Sequence, residues 1–142
     1  MPALVLCSEE SRKKLFVWCY SKIVKYFSSE HASLRRKLMQ EMSKVTSAFS
    51  DLRSQDSIRV LEVGPGPGNN FEFFPRRVHL TTLDVNHHFD EAVKASAARL
   101  ENVHLERIEH GRAENMSMFE DESFDVVIMC DLLCMTTSRQ TL

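Results

Sequence analysis

The apolar positions of this chain change rhythm near residue 57. From there onward, short apolar runs alternate with polar or alanine-rich stretches. Residues 58–63 read as a strand running into glycines, and 78–83 as a second strand ending at Asp84. Residues 103–108 read as a third, and 124–129 as a fourth with an almost continuous apolar run. Between them, 69–74 predict a short helix stopped at Pro75, and 87–100 a longer helix capped by Asn86. Residues 111–123 read as a polar loop. Alternating strands and helices, with the strands apolar throughout, predict right-handed βαβ units. The expected fold class is therefore α/β, a doubly wound parallel sheet covered on both faces.

Before residue 57 the rhythm is helical, and two helices are expected. In the first, over 11–27, Lys14, Ser21, Lys22 and Lys25 share one face while aromatic and aliphatic residues fill more than half the circumference. That arc is broader than a surface helix needs to dock on a core. Two readings stay open: an interfacial helix with lysines toward anionic headgroups, or a helix buried by the rest of a larger domain. The second helix, over 30–52 after the caps Ser28 and Ser29, carries Leu34, Leu38, Met42, Val45, Phe49 and Leu52 in a narrow stripe. That stripe predicts one face packed on the domain. The chain thus divides into an amphipathic segment 1–28, a packing helix in 29–56 and an α/β region 57–142.

Composition narrows the partners. Residues 1–50 hold nine Lys/Arg and four Asp/Glu, whereas 51–142 hold nine and sixteen. An acidic body behind a basic leader argues against nucleic acid as substrate of the glycine-containing part. Cys7, Cys19, Cys130 and Cys134 form no CxxC pair and no zinc-ligand spacing with the six histidines. Reduced thiols, a cytoplasmic setting and no metal are the expectation. No run of 18 apolar residues marks a transmembrane helix, and 1–7 is too short for a signal-peptide core.

The chemistry concentrates where such folds bind ligands, at the carboxyl ends of the strands. Gly64, Gly66 and Gly68 follow the first strand in a GxGxG spacing, not the GxGxxG of dinucleotide folds. Pro65 and Pro67 remove two backbone donors, which makes the loop a poor pyrophosphate cradle. S-adenosylmethionine has no phosphate and needs close backbone approach, with acceptors for its ammonium. Glu62 is a candidate acceptor, or else a strand-end carboxylate bonding local N–H groups. Asp84, twenty residues past Gly64, can accept both hydroxyls of an adenosine ribose, or else cap the next helix. In the loop at 111–116, backbone groups around Arg112 and Ala113 are placed to read an adenine edge.

Together, Leu61-Glu62-Val63-Gly64-Pro65-Gly66-Pro67-Gly68, Leu83-Asp84-Val85-Asn86, the 111–116 loop and the fourth strand resemble class I S-adenosylmethionine-dependent methyltransferases of the type 11 group. The run from Asn69 to Pro75, Glu114-Asn115-Met116 and Leu133-Cys134 narrow the resemblance to the methyltransferase-like protein 7 family of membrane-associated alkyl-thiol methyltransferases. The resemblance implies S-adenosylmethionine as cofactor and a small-molecule acceptor such as a thiol. By it, Glu62, Gly64 and Gly66 line the methionine part, Asp84 holds the ribose with Val85 beside the adenine, and Arg112 and Ala113 follow the adenine edge. Arg112 stands where many relatives place an aspartate, so only its backbone serves. Cys130-Asp131-Leu132-Leu133 departs from the Asn/Asp-Pro-Pro-Tyr signature of nucleic-acid base methyltransferases. No catalytic base is identified; Asp131, Cys130 and His31 are candidates without geometry. The resemblance further implies a sheet cut after the fourth of seven strands, as in a fragment, a truncated isoform or a chain completed by a partner. In that reading a non-catalytic, cofactor-binding or membrane-associating chain is the alternative to an enzyme, and a nicotinamide-dependent oxidoreductase a more distant one. It also implies an N-terminal segment on the endoplasmic reticulum or lipid-droplet surface.

Overall fold

The structure, a computed structural model, describes residues 8–130, without the side chains of residues 21 and 24–30. Its centre is a four-stranded parallel sheet in the order β3-β2-β1-β4: β1 Ser57–Val63, β2 Arg77–Asp84, β3 Val103–His110 and β4 Val126–Met129. The four strands match the four read from the apolar runs. β1 lies inside the sheet and is buried on both faces; six of its seven residues are buried. Register runs from Ser57 opposite Arg77 to Val63 opposite Leu83, so β1 and β2 end side by side. A bulge between Leu80 and Thr81 shifts the β2–β3 pairing past Glu106.

The two N-terminal helices expected from the sequence are one. α1 spans Glu9–Met39 without a break at Ser28 or Ser29, capped by Ser8, whose hydroxyl accepts the N–H of Ser11 at 3.1 Å. It passes into a 3-10 segment, Gln40–Lys44, and a short α2 covers Ser50–Ser54. Serines at 28 and 29 cost a helix interior only a few tenths of a kcal/mol each, which neighbouring turns readily outweigh. The expected stripe is corrected too. Met42 and Leu52 are buried, but Leu34 and Leu38 are more than half exposed, and Met39 takes their place in the core. The helix ends near residue 44, so its face never continues to Phe49.

Each face of the sheet has its own cover. Ile58, Val60, Val78, Leu80 and Ile128 pack with Met39, Met42, Phe71, Phe89 and Val93 from the helical side. Leu61, Val63 and Leu83 pack instead under Ala113, Met116, Phe119 and Phe124 of the loop before β4. The connector after α1 is anchored by Asp125. Its carboxylate accepts the Ser47 hydroxyl, the Ala48 N–H and the Arg59 N–H, each at 2.8 Å. The expected helix at 69–74 is a 3-10 turn, Phe71–Phe73, and that at 87–100 is a 3-10 turn, His87–Phe89, followed by α3, Asp90–Ala97.

Candidate cofactor site

The glycine run leaves β1 at its carboxyl end with all three glycines at positive φ: Gly64 at 69°, Gly66 at 53° and Gly68 at 84°. Two need the absent side chain for space as well. A Cβ on Gly68 would lie 2.5 Å from the Phe71 ring, and one on Gly66 would lie 3.3 Å from the Tyr20 ring. The donors of this loop are spent inside the protein. Gly64 N–H donates to Leu83 O at 2.8 Å and Gly68 N–H to Pro65 O at 3.0 Å. Gly66 N–H turns to the Asp84 carboxylate, and the two prolines have none.

Asp84 ends β2 beside this loop. Its Oδ1 accepts the Asn86 N–H at 2.9 Å, and N–H groups of Gly66 and Val85 also favour its charged form. Burial outweighs them and holds its carboxyl above the usual range. The capping reading for Asp84 is not what the structure shows, because Asn86 is the cap: its Oδ1 accepts the His88 N–H at 3.3 Å. Asn86 also donates its side-chain N–H to the carbonyl of Lys13, which ties α1 to the end of β2.

Between α1 and the strand ends lies a cavity of about 370 Å³, of the size that takes a small-molecule ligand. Gly64, Gly66, Asp84 and Val85 line it. Phe16 and Tyr20 of α1, stacked at 5.5 Å between ring centroids, close it together with Phe89. Arg12, Lys13 and Glu9 line the same wall, with Lys13 paired to Glu9 at 3.0 Å, and Cys130 lies at the end of β4. The aromatic wall was not read from the sequence as a site. Its signal was the breadth of the apolar arc on the first helix, more than docking required.

Glu62 is absent from the wall. It is fully buried in β1, where its Oε1 accepts the side-chain N–H of Asn70 at 2.7 Å. Burial pushes its carboxyl up to about 7, against the Asn70 hydrogen bond and the Arg35 charge. Arg112 and Ala113 are not brought to the cavity either. Arg112 pairs with Glu114 at 3.1 Å, and Ala113 packs on the opposite face of the sheet. Only the turn before them reaches the strand end, through Gly111 N–H on Asp84 O at 3.1 Å. His31 is exposed and away from the wall, and Asp131 lies outside the described residues.

Comparison with known proteins agrees with this layout. A methyltransferase domain family profile matches residues 61–142. Thiol S-methyltransferase TMT1B of Rattus norvegicus is 32% identical over 126 residues, 84% of this chain and 52% of that protein. Its Homo sapiens counterpart is 29% identical over 136 residues, 96% of this chain and 53% of that protein. The chain spans about half the length of these curated relatives. A Methanococcus maripaludis structure described as an S-adenosyl-L-methionine-dependent methyltransferase shares the fold at a TM-score of 0.59 and 16% identity, covering 93% of this chain and 54% of its own.

Proposed function

We propose, from the premise that the chain belongs to the class I S-adenosylmethionine-dependent methyltransferases, that its cavity binds S-adenosylmethionine and serves methyl transfer to a small thiol. The observation that carries the reading is the loop at 64–68. With two of its three glycine N–H groups hydrogen-bonded internally, the third beside the Asp84 carboxylate, and two prolines, it offers a pyrophosphate no converging set of donors, yet its glycines admit close approach. A nucleoside without phosphate and with a cationic sulfonium fits that chemistry. Asp84 would accept the ribose hydroxyls, and the rings of Phe16, Tyr20 and Phe89 would shield the adenosine from water. Arg12 would meet the methionine carboxylate, beside the Lys13–Glu9 pair.

When bound, S-adenosylmethionine supplies an activated methyl group to an acceptor in line with the breaking bond. The chain's part is alignment and exclusion of water. Cys130, at the end of β4, lines the same cavity, and an acceptor thiol would enter from that side in this reading. The relatives named for thiol methylation support a thiol acceptor. The test is transfer of a radiolabelled methyl group from S-adenosylmethionine to a small alkyl thiol by the 142-residue chain. Label in the thioether, lost in Asp84→Ala, supports catalysis. Cofactor binding without transfer would instead make the chain a cofactor-binding protein.

The reading extends to a membrane surface. No described helix is long and apolar enough to cross a membrane. On α1, Trp18 is 62% and Ile23 53% exposed beside Lys14 and Lys22, the composition of an interfacial helix. Such a helix suits the cytoplasmic surface of the endoplasmic reticulum or a lipid droplet. Co-sedimentation with anionic liposomes, weakened in a Trp18→Glu/Ile23→Glu variant, is the expected result; undiminished binding would remove the proposal.

A further inference from the structure

Beside the cavity, on its outer rim, the fold assembles a cluster that neither the family nor the reaction accounts for. Glu10 on the first turn of α1 faces His87 and His88 from the connection between β2 and α3. Each offers one ligand atom, and the three atoms lie within 4.8 Å of one another. Glu10 Oε1 is 3.5 Å from His87 Nε2 and 2.6 Å from His88 Nε2. Around a tetrahedral ion with bonds near 2.0–2.1 Å, neighbouring ligand atoms stand about 3.3 Å apart. The first separation already matches, and the second needs to open by less than an ångström, within side-chain freedom. The close approach of Glu10 also leaves His88 Nε2 buried without a well-directed hydrogen bond. An ion coordinated there would satisfy it.

The support behind the cluster is built as well. Asn86 accepts the backbone N–H of His88 and donates to the Lys13 carbonyl of α1, so one side chain fixes both halves. His110, paired with Asp90 at 3.0 Å, stands edge-on to His87 at 6.2 Å between ring centroids. It gives a flanking imidazole beyond the three ligands.

We infer that Glu10, His87 and His88 form a two-histidine, one-carboxylate site for zinc or a similar divalent transition ion, with water completing the coordination. The ion joins α1 to the end of β2. Since α1 carries Phe16 and Tyr20 over the cavity, metal binding fastens the cavity's aromatic wall in place. The expectation of no metal rested on cysteine–histidine spacing along the sequence. This site escapes that search because one ligand is 77 residues from its neighbours and none is cysteine.

The experiment is titration of the 142-residue chain with cobalt(II), followed by its visible absorption, and with zinc by calorimetry. One saturable site is expected, with the cobalt bands displaced by zinc. His87→Ala/His88→Ala and, separately, Glu10→Gln should each weaken binding, the double variant by about a hundredfold. All three side chains are at least partly exposed, and circular dichroism confirms that the variants fold. A second cluster, His79, His104 and Glu106 on β2 and β3, provides the control. His104→Ala should leave cobalt affinity unchanged. Absence of saturable binding, binding unaltered in the double variant, or loss of binding through His104→Ala would each overturn the assignment.

Discussion

Asn70 donates its side-chain N–H to Oε1 of Glu62 at 2.7 Å, while Glu62 Oε2 and Asn70 Oδ1 are both buried without a hydrogen-bond partner. Two acceptors and no donor is the pattern of a carboxyl that is stable when protonated. A proton on Oε2 would supply the donor that the site lacks. The glycine run is held from beneath by this pair, since Glu62 precedes it and Asn70 follows it.

Stability is therefore expected to depend on the charge of Glu62. Its carboxyl titrates at about 7 in the fold, against the usual 4.5. Between those values the folded chain keeps a proton that the unfolded chain has lost. The contribution of Glu62 to stability then falls as pH rises from 4.5 to 7 and levels off above, a loss of about 3 kcal/mol. Glu62→Gln carries its own donor and no charge. Urea unfolding at pH 8 should find it more stable than the parent by up to about 3 kcal/mol, with the gain vanishing near pH 4.5. Parallel curves at both pH values would contradict the assignment.

Asp84→Asn keeps an oxygen for the Asn86 N–H but loses the charge and one acceptor. Charge-assisted bonds contribute about 1.5–3 kcal/mol each, so S-adenosylmethionine affinity should fall by about ten- to a hundredfold. The melting temperature should change little. Calorimetric titration and a thermal melt separate the two effects; a lost fold with intact affinity per folded molecule would place Asp84 in structure alone.

Gly66→Ala and Gly68→Ala should fail differently. At Gly68 the new Cβ meets the Phe71 ring at 2.5 Å at a φ of 84°, a cost of about 2 kcal/mol or more in folding. At Gly66 the contact is 3.3 Å, with the end of the flexible Tyr20 side chain, and the position lines the cavity. Gly66→Ala should weaken cofactor binding more than it lowers stability, and Gly68→Ala the reverse. Chemical denaturation and cofactor titration of both variants test the contrast.

Asp125→Ala removes the acceptor of three hydrogen bonds that join β1, β4 and the connector after α1. Two of the donors are backbone N–H groups. A loss of about 3 kcal/mol is expected from urea unfolding, whereas Asp125→Asn should recover part of it.

The sheet was legible because its information is local. Apolar runs of strand length end at Val63, Leu83 and Met129, and each prediction needed only a few neighbouring residues. That Gly64, Gly66, Asp84 and Val85 lie side by side was legible for the same reason: strand ends place them together in any doubly wound fold. What escaped depends on distant packing. No local rule tells that α1 runs on through Ser28, or that Tyr20 comes to lie over Gly66. Glu62 was expected to reach the ligand, but alternation along β1 turns it toward Asn70, and only a strand with both faces buried hides a carboxylate there. Arg112 and Ala113 were expected at an adenine edge from the place of their loop after the third strand, and the loop instead carries Ala113 onto the far face of the sheet.

The central claim is that the cavity under α1 is made for S-adenosylmethionine and not for a dinucleotide. Isothermal titration of the 142-residue chain with S-adenosylmethionine and with NADH tests it most directly. Saturable binding of S-adenosylmethionine, abolished in Asp84→Ala and not mimicked by NADH, is the predicted result. Saturable binding of NADH with none of S-adenosylmethionine would contradict it.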